Sequence, residues 1–291
     1  MDNTVAIGRK QKKPGLFEKR IHEIDFARGV LIILVLMDHL FWALSFFPLL
    51  WYNAFHVEFF RVVHEIFSFY WHANARSVVR ELCLFGFVTL SGISCAFSRN
   101  NWKRSAQLML LWAAFVVLSN LMQDFVTLGG GGSGQTFNVD FNVIGVLAFC
   151  TMIYCFIQDK GYKTQLAAML ISFLFMYIII LPMWEAVKVP WTNPVNGEET
   201  YAASAYMPVF WKDPFYSTAD WMPLFPYIVG FFGGAAISKT VYKDKKSIFP
   251  RRFEFERPFC FVGRNTLLIY FTHEPLILII FYGISFIAGV L

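Results

Sequence analysis

IDFARGVLIILVLMDH, residues 24–39, opens an apolar stretch that runs to Leu50 and whose ionisable residues are Asp25, Arg28, Asp38 and His39. Crossing the hydrocarbon core of a bilayer takes about 20 mostly apolar residues, so this stretch reads as a membrane-spanning helix that carries ionisable groups. Eleven positions separate Arg28 from His39, which at 100° per residue is about three turns plus 20°. The two side chains therefore share a helix face, about 16 Å apart along the axis. A cation near one membrane surface and an imidazole near mid-membrane are costly to place in lipid, and such groups mark function by default.

The rest of the chain repeats the apolar pattern. Of 291 residues, 57% are hydrophobic, 19% aromatic and 15% charged, and mean hydropathy is +0.50. Soluble domains carry about a quarter charged residues, so lipid must cover much of this surface. Seven candidate spans emerge, at about 26–50, 79–98, 105–127, 140–158, 164–184, 221–238 and 265–291. The expected fold is an all-α, polytopic integral membrane protein of about seven transmembrane helices.

The formal charge of +5 is gathered in short connections. Basic residues crowd the N-terminal tail, 99–104 (Arg99, Lys103, Arg104), 158–163 (Lys160, Lys163) and 239–257, whereas 51–78, 128–139 and 185–220 hold only Arg61, Arg76, Lys188 and Lys212. By the positive-inside rule the N-terminus is cytoplasmic and the C-terminus extracytoplasmic. This distribution excludes a phosphate-binding face for nucleic acid. Residues 1–25 lack the apolar core of a cleavable signal peptide, so the first span is expected to serve as the signal. The five cysteines show no CxxC or Cys/His zinc spacing and read as packing residues; no metal is expected.

The outer connections are long enough to carry function. In 51–78, Phe59, Val62, Val63, Ile66, Phe67 and Tyr70 recur at helical spacing opposite His56, Glu58, His64 and Glu65, which predicts a short amphipathic helix that lies at the outer interface or plugs the bundle. Residues 129–134 read as a flexible Gly-rich tip, and 185–220 as an ordered, non-helical loop whose Trp191 and Trp211 suit either sugar stacking or an interfacial aromatic belt. Small residues Ser91, Gly92 and Ser94 in the second span permit close helix approach.

Further chemistry-bearing candidates are His72, just before the second span, Arg80 and Glu81 at its outer end, and His273 and Glu274 in the last span. Asn120, Gln123, Asp124 and Asp220 fit a polar path or water-facing helix ends equally well. The chain has no GxSxG elbow, Walker loop, GxGxxG or HExxH, which disfavours conventional serine, zinc and ATP-driven mechanisms.

Four motifs in register, RIHEIDFARG (20–29) with His39, LSGISCAFSRNNWKRS (90–105), DWMPLFP (220–226) and GRNTLLIYFTHEP (263–275), resemble the bacterial DUF1624 proteins. These are related to the catalytic domain of heparan-α-glucosaminide N-acetyltransferase. The resemblance covers about residues 20–285. It implies a basic cytoplasmic tail at 1–22 and a single transmembrane acyltransferase-like domain at 23–291, in the cytoplasmic (inner) membrane.

The implied activity takes an acyl group, acetyl above all, from cytoplasmic acetyl-CoA or another acyl-CoA and delivers it to an extracytoplasmic sugar or glycan. Its partners would be the lipid bilayer, the acyl-CoA and that acceptor, without nucleic acid; self-association stays open. In the wider group of membrane acyltransferases an Arg followed eleven positions later by His on the first span is a hallmark, which Arg28 and His39 match. The heparan enzymes instead place Asn at the position of His39 and use a His in the following outer loop, near His72. Both are present here, so either is a candidate base. Ala148 stands where a His is often expected.

The resemblance thus implies catalytic roles for His39, His72, Asp38 and His273, and contacts to CoA phosphates by Arg28, Arg99, Lys103 and Arg104. A proton-coupled transporter and a non-enzymatic envelope scaffold are the alternatives, because buried Arg, His, Asp and Glu also line ion pathways.

Overall fold

Among the described residues, five helices are long and apolar enough to cross a membrane. The computed structural model describes residues 21–98, 100–128, 139, 141–192, 199–203, 222–249 and 253–290. In chain order, the long helices are α1 (His22–Phe55), α3 (Asn74–Cys95), α4 (Asn101–Leu128), the run formed by α6 (Tyr162–Phe175), a π-helical turn (Met176–Ile180) and α7 (Leu181–Val187), and α10 (Thr266–Ile287). Between them lie α2 (Glu58–Trp71), α5 (Val143–Cys155), α8 (Tyr227–Thr240) and α9 (Glu256–Arg264).

Seven full-length spans were expected, and two of the seven segments differ. Helices α5 and α8 have 13 and 14 residues, about 20 Å each at 1.5 Å per residue, short of the hydrocarbon thickness. Each continues at its N-terminus into non-helical, buried residues: Phe141 and Asn142 before α5, and Met222, Pro223, Leu224 and Phe225, followed by exposed Pro226, before α8. Non-helical backbone at membrane depth is tolerated only inside protein. Here the Met222 N–H donates to the Phe141 carbonyl at 2.7 Å, and the Asn142 side-chain oxygen accepts from the N–H groups of Ile144 and Gly145 at 3.1 and 3.2 Å. The largest core cluster gathers around these two helices, with Tyr154, Phe231, Phe232 and Val146 essentially sealed from solvent.

Two helix crossings fix the bundle. A Cβ on Gly29 of α1 would lie 1.9 Å from the Phe259 carbonyl oxygen of α9, and one on Gly263 of α9 would lie 1.8 Å from that of Asp25. The second crossing repeats the arrangement between Gly92 of α3 and Phe231 of α8, and between Gly234 of α8 and Thr89 of α3, each at 2.0 Å. Of the small residues read from the second span as a close-approach surface, Gly92 therefore meets α8 backbone to backbone.

The outward faces are apolar: Leu110, Ile171, Ile178 and Phe286 are all more than 60% exposed. A water-facing surface of that kind would aggregate, whereas lipid covers it at no cost. The chain is thus a multi-pass membrane protein. The segment expected to be non-helical contributes a two-stranded antiparallel hairpin, β1 (Lys188–Thr192) with β2 (Glu199–Ala203). The Gly129–Gly134 tip, Trp211, Asp220 and Arg99 lie outside the described residues, as does the side chain of Trp191.

Candidate active site

Helix α1 has 34 residues, about 51 Å of helix, so His39 sits near its middle. Beside it α10 supplies His273. Their rings meet edge to face, 4.7 Å between centroids and 84° between planes. Each imidazole has its Nδ1 against its own helix backbone: His39 Nδ1 is 2.9 Å from the Val35 carbonyl and His273 Nδ1 is 2.7 Å from that of Tyr270. A carbonyl only accepts, so both Nδ1 atoms carry the hydrogen and the basic lone pair of each neutral ring is on Nε2. His39 is half-buried and His273 only 6% exposed.

His39 lines a cavity of about 850 Å³, within the usual range for a small-molecule site. Its walls are largely apolar, from Leu34, Phe41, Trp42, Val79 and Leu84, with Asp38, Arg76, Arg80, Tyr70 and Glu274 as polar groups. One rim is tied by charge. Arg76, in the first turn of α3, donates to both carboxylate oxygens of Asp38 at 2.7 Å and stacks 3.3 Å above the Trp71 ring. Tyr70 of α2 donates to the same carboxylate at 3.1 Å. Burial first, and the Asp38 charge second, push the Tyr70 phenol above its ordinary pKa, so it stays a neutral donor.

Helix α2 follows the end of α1 after two residues, with His56 in the left-handed region at φ 54°, and it folds back along α1. The amphipathic helix expected over 51–78 is thus present at 58–71, with one difference in its faces. His64 is directed at α1, its Nδ1 2.5 Å from the Ser45 carbonyl, while Phe59, Val62, Ile66 and Phe69 point outward. Arg61 pairs on the open face with Glu58 and Glu65, and those carboxylates raise its pKa.

The structure brings His39, Asp38 and His273 to one place and leaves His72 apart. His72 caps the C-terminus of α2, exposed, with Nδ1 2.8 Å from the Ser68 carbonyl, and it does not line the cavity. Asp38 is engaged by Arg76 and Tyr70, and the Val35 carbonyl holds the His39 ring. Arg28 lies toward the other end of α1, donating to Ser94 Oγ at 2.6 Å and to the Leu90 carbonyl at 3.3 Å. Lys103 is exposed and Arg104 half-buried in the first turn of α4. Arg80 pairs with Glu81 at 3.4 Å, and Glu81 accepts from the Tyr227 hydroxyl.

Arg76 and Tyr70 are site residues that sequence reading did not single out. The available signal was Arg76 as one of two Arg, with Arg61, in an outer connection otherwise poor in basic residues. Among the described residues no group of three or more His, Cys, Asp or Glu is arranged to hold a metal ion.

One family profile, described as heparan-alpha-glucosaminide N-acetyltransferase, catalytic, matches residues 20–275 of the chain. Comparisons with curated proteins and with solved structures give no match.

Proposed function

Because the chain belongs to the heparan-alpha-glucosaminide N-acetyltransferase catalytic family, we propose that it is a membrane acetyltransferase. It takes acetyl-CoA at its basic, cytoplasmic end and transfers the acetyl group to a hydroxyl or amine of a sugar or glycan on the far side of the membrane. The reading rests above all on the His39–His273 pair: a cavity-lining imidazole with its Nδ1 fixed by a carbonyl and its Nε2 left as the base.

In this reading the acceptor lies in the cavity with its reacting O–H or N–H toward His39 Nε2. As the acceptor atom attacks the thioester carbonyl, His39 takes its proton. The tetrahedral oxyanion then collapses, the C–S bond breaks and CoA leaves as the thiolate, to which the imidazolium returns the proton. Such general-base assistance contributes about 10²–10⁴-fold. Arg80, at the cavity wall, supplies positive charge for the oxyanion. His273 packs the His39 ring in place, and Asp38, tied to Arg76 and Tyr70, holds α2 and α3 against α1 beside the base. Arg28, about 16 Å from His39, faces the CoA phosphates with help from Arg99, Lys103 and Arg104.

The test is acetyl transfer from labelled acetyl-CoA to a panel of amino sugars and neutral sugars by purified protein in lipid nanodiscs. His39→Ala is expected to lower the rate about 10²–10⁴-fold while the protein stays folded in the membrane, and His72→Ala to retain activity. Full activity in His39→Ala with loss in His72→Ala would overturn the assignment of the base.

A further inference from the structure

A second recess, of about 600 Å³, opens on the basic end of the bundle, away from His39. Its walls come from the turn between α5 and α6 and from the end of α8 with the turn after it. They carry Lys160, Lys239, Lys243 and Lys245 against the single carboxylate of Asp159, a formal excess of three positive charges. At its floor lies Ser238, 2% exposed, whose buried hydroxyl has no hydrogen-bond partner among the described residues. An unsatisfied hydroxyl in the interior is unfavourable unless a ligand completes it. Lys239 is held in place, its ammonium donating to the carbonyls of Gln158 and Lys160, which leaves a third N–H for another acceptor. Burial lowers its pKa, an effect that a bound anion would oppose.

We infer that this recess is a phosphate-recognition site, in which the Ser238 hydroxyl and the lysine ammonium groups bind a phosphate group carried by a ligand at the membrane surface. Two sources share that chemistry: the phosphates of a soluble nucleotide and the headgroup of an anionic phospholipid. The exposed lysines offer charge without a fixed geometry, and Ser238 and Lys239 add the fixed donors that separate a site from a merely basic surface. Because the inference concerns binding alone, it can fail or succeed independently of acetyl transfer.

The experiment uses the full chain in phosphatidylcholine nanodiscs, titrated with inorganic pyrophosphate at low salt. Binding is expected, with affinity falling about tenfold in Ser238→Ala and again in Lys243→Gln/Lys245→Gln. The unfolding midpoint of Ser238→Ala without pyrophosphate is expected not to fall, since the hydroxyl it removes has no partner. Displacement of pyrophosphate by adenosine 3′,5′-bisphosphate supports the site with a soluble nucleotide as its source. Loss of pyrophosphate binding in discs containing phosphatidylglycerol, absent from the lysine variant, supports it with a lipid headgroup as its source. No binding of any of the three probes, or binding equal in wild type and both variants, overturns it.

Discussion

Replacing Arg76 with Gln takes the guanidinium away from Asp38 while keeping much of the side chain's length. The two partners are 12% and 17% exposed and meet at 2.7 Å. Breaking a fully buried pair from one side costs about 3–5 kcal/mol. With this residual exposure, and Tyr70 still donating to the carboxylate, about 2–3 kcal/mol is expected. Loss of the stacking on Trp71 adds about 0.5–1 kcal/mol. At roughly 2 °C per kcal/mol for a chain of this length, the unfolding midpoint should drop about 5–8 °C.

All five cysteines are free and buried, so a thiol-reactive fluorophore reports unfolding in detergent directly. The decisive comparison is a cycle with Asp38→Asn and the double variant. Removing both charges leaves no orphan carboxylate or guanidinium, so the double variant should be no less stable than Arg76→Gln, a coupling of at least about 1 kcal/mol. If the two single effects simply add, the pair does not hold the cavity rim and the reasoning fails.

Arg61 is the matching control: it also pairs with two carboxylates, but on the open face of α2, where water screens the attraction. Arg61→Ala should leave the same midpoint unchanged. Gly29→Ala and Gly92→Ala place a methyl within 1.9–2.0 Å of backbone oxygen, so both should lose the folded, monodisperse peak on size-exclusion chromatography. Gly283→Ala, which meets nothing within 4 Å, should keep it. Asn142→Ala removes the N-cap of α5 in a sealed interior and should cost about 1–2 kcal/mol in the thiol assay, with no direct effect on affinity for acetyl-CoA.

The long helices were legible because lipid demands a run of about 20 mostly apolar residues, and 26–50 and 265–291 supply one in spite of Arg28, Asp38, His39, His273 and Glu274. The shortness of α5 and α8 was not, because Phe141, Met222, Leu224 and Phe225 are as apolar as the helices they precede. Hydropathy does not distinguish buried extended backbone from helix. At the site, the Arg28–His39 spacing and the place of His273 within the last span could be read along single helices, whereas the ring contact between His39 and His273 could not. The contacts of Asp38 with Arg76 and of His64 with Ser45 join different helices, and no local pattern announces them. The expected orientation of His64 failed for a related reason: α2 has apolar residues on both faces, toward α1 at Phe67 and toward lipid at Ile66, so periodicity alone did not tell which side was inward.

The paired glycine crossings bear on how this protein will look in a saturation mutagenesis screen. Gly29, Gly92, Gly234 and Gly263 admit no side chain at all, so a selection scored by activity would rank them with His39 as intolerant. They would look like a second catalytic cluster spread along two seams of the bundle. Scoring the same library for surface abundance separates the two kinds of position: glycine variants vanish from the membrane, and variants of the true base persist there, inert.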